Sequence, residues 1–202
     1  MRALKGAFLN FGAGLLGALP NIVVFQFNPD RVTRTPSAVR PPPRDDGAGT
    51  RDPRLQPGPP VETFSFTLRV DATDQLASSN PLAAASGILP TLSALELLMV
   101  PKGSLAIDLF DLDGRDKRYQ FPPRKLPIVL FFWGPLRIFP VNVTSLSITE
   151  TEYDPLLNPV RAEVAVNLQM VTRGSTIVRG AYNYSQGVKE VMAALNFANA
   201  VL

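Results

Sequence analysis

The sequence predicts a mainly β protein: a barrel of about seven strands with a short middle helix and a C-terminal helix. Three observations carry that prediction. Residues 62–70 alternate strictly between the two faces, and 160–170 alternate between apolar and polar side chains except at Ala165, the period of a half-buried strand. Residues 126–133 form a nearly unbroken apolar run, too short to span a membrane and suited to a buried strand. Helical spacing of apolar residues occurs only in a short stretch near residue 95 and again after residue 185. Many strands and little helix point to a barrel or a sandwich.

Taken in order, the basic start Met1-Arg2-Ala3-Leu4-Lys5 leads into an apolar run over 6–19. Asn10 and the glycines at 6, 12, 14 and 17 interrupt that run, so it reads as a glycine-rich first strand rather than a secretory leader. Ile22-Val23-Val24-Phe25-Gln26-Phe27 reads as a buried strand, with Phe25 and Phe27 on one face and Gln26 on the other. Asn28-Pro29 stops it, because proline cannot donate to a sheet ladder. Residues 36–60 hold prolines and glycines without apolar periodicity and read as a long loop.

The strand 62–70 turns Phe64, Phe66, Leu68 and Val70 to one side, and Asp71-Ala72-Thr73-Asp74 closes it as a polar turn. Asn80-Pro81 is a helix start, with proline at the first helical position. Leu92, Leu95, Leu98 and Met99, between Pro90 and Pro101, define a short amphipathic helix. Strands are expected at 105–110 and 119–121 around an Asp111-Leu112-Asp113-Gly114 turn. The run 126–133 is expected to be buried on both faces, ending at Trp133, with Gly134-Pro135 turning the chain. Val141 and Val143 are out of phase with Leu146 and Ile148, which predicts a β-bulge near Ser145. In 160–170, Val160, Ala162, Val164, Val166, Leu168 and Met170 share a face. Ser185 is expected to cap a final helix carrying Val188, Val191, Met192, Leu195, Ala198 and Leu202 on one side.

Composition removes much chemistry. The 202 residues include no histidine and no cysteine. Imidazole bases, Ser-His-Asp triads, thiol nucleophiles, disulfides and His- or Cys-ligated metals are excluded. The acidic set Asp108, Asp111, Asp113 and Asp116 fails as a calcium loop, since counting from Asp111 puts Gly114 fourth where the EF-hand needs glycine sixth. The carboxylate pairs Asp71/Asp74 and Glu150/Glu152 have no flanking motif and read as turn and strand-edge residues. Phosphate-cradling glycine patterns and a nucleophile elbow are missing from the sequence. No catalytic, cofactor-binding or metal-binding residue is expected, and the chain reads as a non-enzyme. Arg40, Arg44, Arg51 and Arg54 in the proline-rich loop form a candidate partner-contact segment. With a net charge of only +3 and no interleaved aromatics to stack bases, that loop is read as solvated, and no nucleic-acid partner is expected. Charged residues are only 18 % of the chain and the polar strand faces are rich in Thr, Ser, Asn and Gln. Weakly charged strands are poorly defended against pairing with other chains, which favours an assembling protein.

Several segments, in order, carry a resemblance. They are Val24-Phe25-Gln26-Phe27-Asn28-Pro29-Asp30 with Arg34-Thr35; the strand 64–70 with its acidic end at Asp71 and Asp74; and Leu95, Leu98 and Pro101. Pro127 through Trp133-Gly134 follows, then Val143, Ser145 and Leu146. Tyr153-Asp154-Pro155 and Asn158-Pro159-Val160-Arg161-Ala162-Glu163-Val164 complete the set. The chain thereby resembles, over most of residues 4–171, the tube-like adaptor proteins of contractile injection systems, which are phage-tail-like baseplate components. The resemblance implies a tube-type β-barrel over 1–171 and a C-terminal extension over 172–202 ending in an amphipathic helix. It implies a hexameric ring joining the inner tube to the spike hub, with the inner-tube protein, the spike or hub protein, other baseplate subunits and copies of itself as partners. It makes Phe25, Phe27, Asn28, Pro29, Asp71, Asp74, Trp133, Gly134, Pro159 and Arg161 structural landmarks. It also implies assembly in the cytoplasm into a particle that is released or membrane-attached, with no membrane insertion. The chain departs from the pattern in its insertion at 36–60 and in having no peptidoglycan-binding LysM-like tail after residue 171. The alternative is a small β-domain binding module whose basic loop contacts an acidic partner or nucleic acid.

Overall fold

A computed structural model describes residues 4–11, 21–39, 56–101 and 126–201. The expected strands at 105–110 and 119–121, the acidic set around Asp111 and the arginines at 40, 44, 51 and 54 lie outside the described residues. Among the described residues, seven strands form one antiparallel sheet: β1 (Ala7–Asn10), β2 (Asn21–Val24), β3 (Thr33–Ser37), β4 (Val61–Asp71), β5 (Val129–Phe132), β6 (Ile138–Tyr153) and β7 (Pro159–Met170). Their order is β2-β1-β5-β6-β7-β4-β3. Four helices among the same residues accompany them: α1 (Thr73–Ala77), α2 (Pro81–Ser86), α3 (Leu89–Glu96) and α4 (Thr176–Val201). The expectation of a mainly β fold with a C-terminal helix is met.

Alternation in sequence becomes alternation in burial. Phe64, Phe66, Leu68 and Val70 of β4 are buried, as are Ala162, Val164, Val166, Leu168 and Met170 of β7. The expected bulge is present: the β6–β7 register shifts between Val143 and Ser145. The displaced Thr144 hydroxyl donates to the Asn167 carbonyl at 3.0 Å, which satisfies the interrupted ladder. Phe8, Phe25, Phe64, Phe66, Phe131 and Phe139 pack together within a core otherwise built of aliphatic side chains. Phe8 of β1 and Phe66 of β4 are four strand positions apart in the sheet order, yet their ring centroids lie 6.3 Å apart. Phe25 lies 5.9 Å from Phe66. The sheet is therefore curled strongly around its apolar face. Among the described residues it is not closed into a barrel, in contrast to the barrel expected, because β2 and β3 remain edge strands with no ladder between β2 and β4.

Three short helices stand where one was expected. The Asn80 carboxamide oxygen caps α2 by accepting from the Leu82 N–H at 3.0 Å. Leu92, Leu95 and Leu98 turn into the core. Two bonds tie this layer to β7: Ile88 N–H to the Pro159 carbonyl and Ala72 N–H to the Val160 carbonyl, both 2.9 Å. Gly87 makes the first possible. Its φ is +55°, and a Cβ there would sit 2.1 Å from the Pro159 oxygen.

Other expectations are corrected. The opening strand ends at Val24; Phe25 is buried, but Phe27 is 48 % exposed rather than sharing its face. β5 is buried on one face, through Val129 and Phe131, and half-buried on the other. Ser185 does not cap a helix. It is buried within α4, and its hydroxyl donates to the Tyr182 carbonyl at 2.8 Å. The helix starts at Thr176 because its first half docks on the sheet through Val178, and the Tyr184 hydroxyl donates to the Pro135 carbonyl at 2.8 Å. Val191, Met192 and Leu195, expected to form a packed side, are exposed, as is Phe197.

Candidate functional site

A groove of about 1340 Å³ lies on the outer side of β4 and β7, roofed by the link between β2 and β3. Period-two alternation builds its floor. Of the residues that do not face the core, Ser65, Thr67, Arg69 and Asp71 on β4 and Arg161, Glu163, Ala165 and Asn167 on β7 line it. The roof comprises residues 26–31.

Side-chain amides in Gln26 and Asn28 hold the roof in place. The Gln26 amide pairs with the Asp71 main chain like a neighbouring strand: Nε2 donates to the Asp71 carbonyl at 2.6 Å, and the Asp71 N–H donates to Oε1 at 2.9 Å. Asn28 does the same on the other side. Its Oδ1 accepts from the Gly6 N–H at 2.9 Å and its Nδ2 donates to the Leu4 carbonyl at 2.8 Å. Between β2 and β4, one glutamine side chain thus bridges the seam that a closed barrel would fill with a ladder.

The next pinning point is Thr33, which pairs with Ser65. Extending that register would oppose Arg31 to Thr67 and Pro29 to Arg69. Asp71 directs its N–H and carbonyl away from β7, so Arg69 and Thr67, two and four residues earlier, do likewise. Pro29 has no N–H to give at the position facing Arg69. The link arches away instead, and residues 25–32 form no strand pairing. Among the described residues, the outward N–H and carbonyl groups of Thr67 and Arg69 have no main-chain partner.

Electrostatics organises the walls. Arg161 Nε donates to Asp71 Oδ2 at 2.8 Å, and Arg161 also pairs with Glu152. Asp71 Oδ1 accepts from the Thr73 N–H at 2.8 Å. The hydrogen bonds from Thr73, followed by the Arg161 guanidinium, hold the Asp71 carboxyl below the usual carboxylate range against the opposing effect of burial. Asp71 in turn raises Arg161 above its ordinary value. Arg69 spans roof and floor, 3.8 Å from Asp30 and 3.5 Å from Glu163. The floor carboxylates Asp71 and Glu163 are thus ion-paired, which suits positioning rather than proton transfer. Among the described residues no group of three or more His, Cys, Asp or Glu is placed to hold a metal ion.

Of the landmarks read from the sequence, Phe27, Asn28, Pro29, Asp71 and Arg161 meet at this groove. Phe25 and Trp133 pack in the core beneath, ring centroids 6.4 Å apart. Gly134, at φ +92°, makes the β5–β6 turn. Pro159 contacts the helical layer through its carbonyl. Asp74 stands apart, exposed in the first turn of α1. Sequence reasoning missed Thr67, Arg69 and Glu163, which look like ordinary outward strand residues.

It also missed a buried ion cluster. Glu62 sits on the core-facing side of β4 and is 2 % exposed. Arg34 of β3 reaches its Oε2 through Nε at 2.8 Å and through a terminal nitrogen at 2.6 Å. Lys189 of α4 pairs with its Oε1. Burial, followed by the Glu62 charge, raises the Tyr182 phenol above its usual value. Glutamate at the head of an alternating strand was the available signal.

Among the described residues no helix is long and apolar enough to cross a membrane. Comparison with models of known protein families and with curated proteins returns no match.

Proposed function

We propose that this chain is a structural ring subunit of a contractile injection system, a tube-like adaptor that joins the inner tube to the spike hub. The observation that carries this reading is the convergence on one groove of Gln26, Asn28, Asp71 and Arg161, residues distant in sequence that belong to the resemblance, with Gln26, Asp71 and Arg161 joined by hydrogen bonds and Asn28 tied to Leu4 and Gly6. Their work there is to fix strand ends, which is the work an assembly protein needs. Surface chemistry also supports assembly. Leu156 and Leu157 at the β6–β7 turn are more than three-quarters exposed, and Val191, Leu195 and Phe197 on α4 are more than half exposed. Large apolar side chains exposed in this way are what interfaces cover. In the proposed ring, neighbouring subunits cover these side chains, the curled sheets together line a channel, and force generated by the sheath passes through the ring to the spike.

The test is electron microscopy of the chain expressed together with its neighbouring gene products. Six-fold rings on a tube or hub are expected. A chain that stays outside every assembled particle would sink the proposal. Failure to form rings in isolation would not, since such rings can require their partners.

A further inference from the structure

We propose that the outward face of α4 is a pairing surface for α4 of a second copy of this chain. This goes beyond the ring reading and does not rest on it, because two helices can pair whatever larger assembly holds them. Two faces divide α4. Val178, Tyr182, Ser185 and Lys189 meet the sheet: Val178 and Ser185 are buried, Tyr182 packs on the core and Lys189 pairs with Glu62. At about 100° per residue, Ile177, Tyr184 and Val191 lie about 110–150° round the helix from those four, and Gly180, Gly187 and Ala194 about 150–170°. The six follow one another at spacings of three and four, the repeat that sets one helix against another.

Ile177, Tyr184 and Val191 are each close to half exposed, with the Tyr184 hydroxyl tied back to the Pro135 carbonyl. Glycine inside a helix costs stability and marks a place where another backbone comes close. A Cβ on Gly180 or Gly187 would meet nothing within 4 Å. Among the described residues nothing therefore requires either glycine, whereas a second helix on that face would.

The occupant follows from the pattern. Bulky and small residues alternate along the face, so a copy of the same face sets side chains against glycine or alanine and the two interdigitate. None of the six is charged, and Lys189 is matched on the opposite side, so two copies meet without like-charge repulsion. The face continues to Ala198, a length of about 33 Å at 1.5 Å per residue. With a helix diameter of about 11 Å, a partner that covers about a third of each circumference buries about 1,000 Å² in total, the size at which a specific interface begins. The stretches 12–20, 40–55 and 102–125 offer no matching repeat in their sequence. The first has four small residues in its first five alternating with nothing at a spacing of seven, the second holds Pro41, Pro42, Pro43 and Pro53, and Leu105, Ile107 and Leu109 of the third alternate with period two.

The experiment is sedimentation velocity and cysteine cross-linking of the full chain. At about 200 µM protein, self-association with a Kd of about 10–100 µM is expected. Gly187→Leu improves helix propensity and enters space that is open in the single chain, so the fold is retained while association weakens at least about ten-fold. The chain has no cysteine of its own, and Gly187 stands at the middle of the face. Gly187→Cys is therefore expected to give a disulfide-linked dimer under mild oxidation, whether the helices run parallel or antiparallel. Ala193→Cys, exposed on the other side of the helix, is expected to stay unlinked. A monomer at that concentration, association that Gly187→Leu leaves unchanged, or Ala193→Cys linking as readily as Gly187→Cys would overturn the proposal. Six-fold rings in which Gly187→Cys does not link would overturn the pairing and leave the ring reading standing. A linked dimer that enters no particle would support the pairing and count against the ring.

Discussion

Gln26 is the residue on which the seam between β2 and β4 depends, and replacing it gives two distinct expectations. Gln26→Leu removes both bonds to the Asp71 main chain, at 2.6 and 2.9 Å, from a partly buried site. A net hydrogen bond contributes about 0.5–1.5 kcal/mol, so the loss is about 2 kcal/mol. At this chain length that lowers Tm by about 4–8 °C. Gln26→Glu is more informative. The introduced carboxylate still accepts from the Asp71 N–H but sets an oxygen against the Asp71 carbonyl where Nε2 donated. One bond is lost and a carbonyl left unsatisfied, about 3 kcal/mol at neutral pH. Protonation restores a donor. The introduced acid therefore has a folded-state pKa raised above its unfolded value of about 4.3. Its deficit grows as pH rises from the unfolded value through the folded one, and shrinks again below about pH 4. Urea denaturation of wild type and both variants at pH 7 and pH 4 reads this out. A Gln26→Glu protein as stable as wild type at pH 7, or one with no acid recovery relative to Gln26→Leu, would refute the proposed role of the amide.

Three further substitutions probe the surroundings. Gly87→Ala places a Cβ 2.1 Å from the Pro159 oxygen at φ +55°, so backbone strain and a broken Ile88 bond are expected to cost about 3 kcal/mol, measurable as a Tm drop of about 6–12 °C. Lys189→Met leaves the buried Glu62 carboxylate with Arg34 alone; a loss of about 2 kcal/mol in urea denaturation is expected, less than for a fully unpaired charge. The Asp71 carboxyl is depressed in the folded state, so its contribution is present above its unfolded value of 3.8 and is lost as pH falls through the lower folded value. Asp71→Asn is expected to flatten the acid limb of the stability curve in that window.

Where backbone period alone decides structure, the sequence was legible. β4 and β7 alternate because one face meets phenylalanines and the other water. The phase slip between Val143 and Leu146 required a bulge whatever the neighbouring strands did. Asn80-Pro81 marked a helix start because capping is local. What was not legible depends on contacts distant in sequence. Asn28-Pro29 signalled a stop, but the stop falls at Val24 because Asn28 reaches back to Leu4 and Gly6, leaving Phe27 in the roof. Ser185 has a capping side chain, yet α4 starts at Thr176, since its docking face of Val178, Tyr182, Ser185 and Lys189 mixes apolar and polar groups and shows no clean apolar stripe. The groove was only half legible. Its landmark residues stood out, but Thr67 and Arg69 matter through main-chain groups, which no side-chain pattern reports.

As proposed above, this chain works by assembling. Cryo-electron microscopy of particles purified from cells expressing it with its neighbouring gene products tests that most directly. A six-fold ring of this chain between tube and hub is expected, with Gln26 bound to Asp71 in every subunit. Complete particles from which the chain is missing, or formed equally well when its gene is deleted, would contradict it.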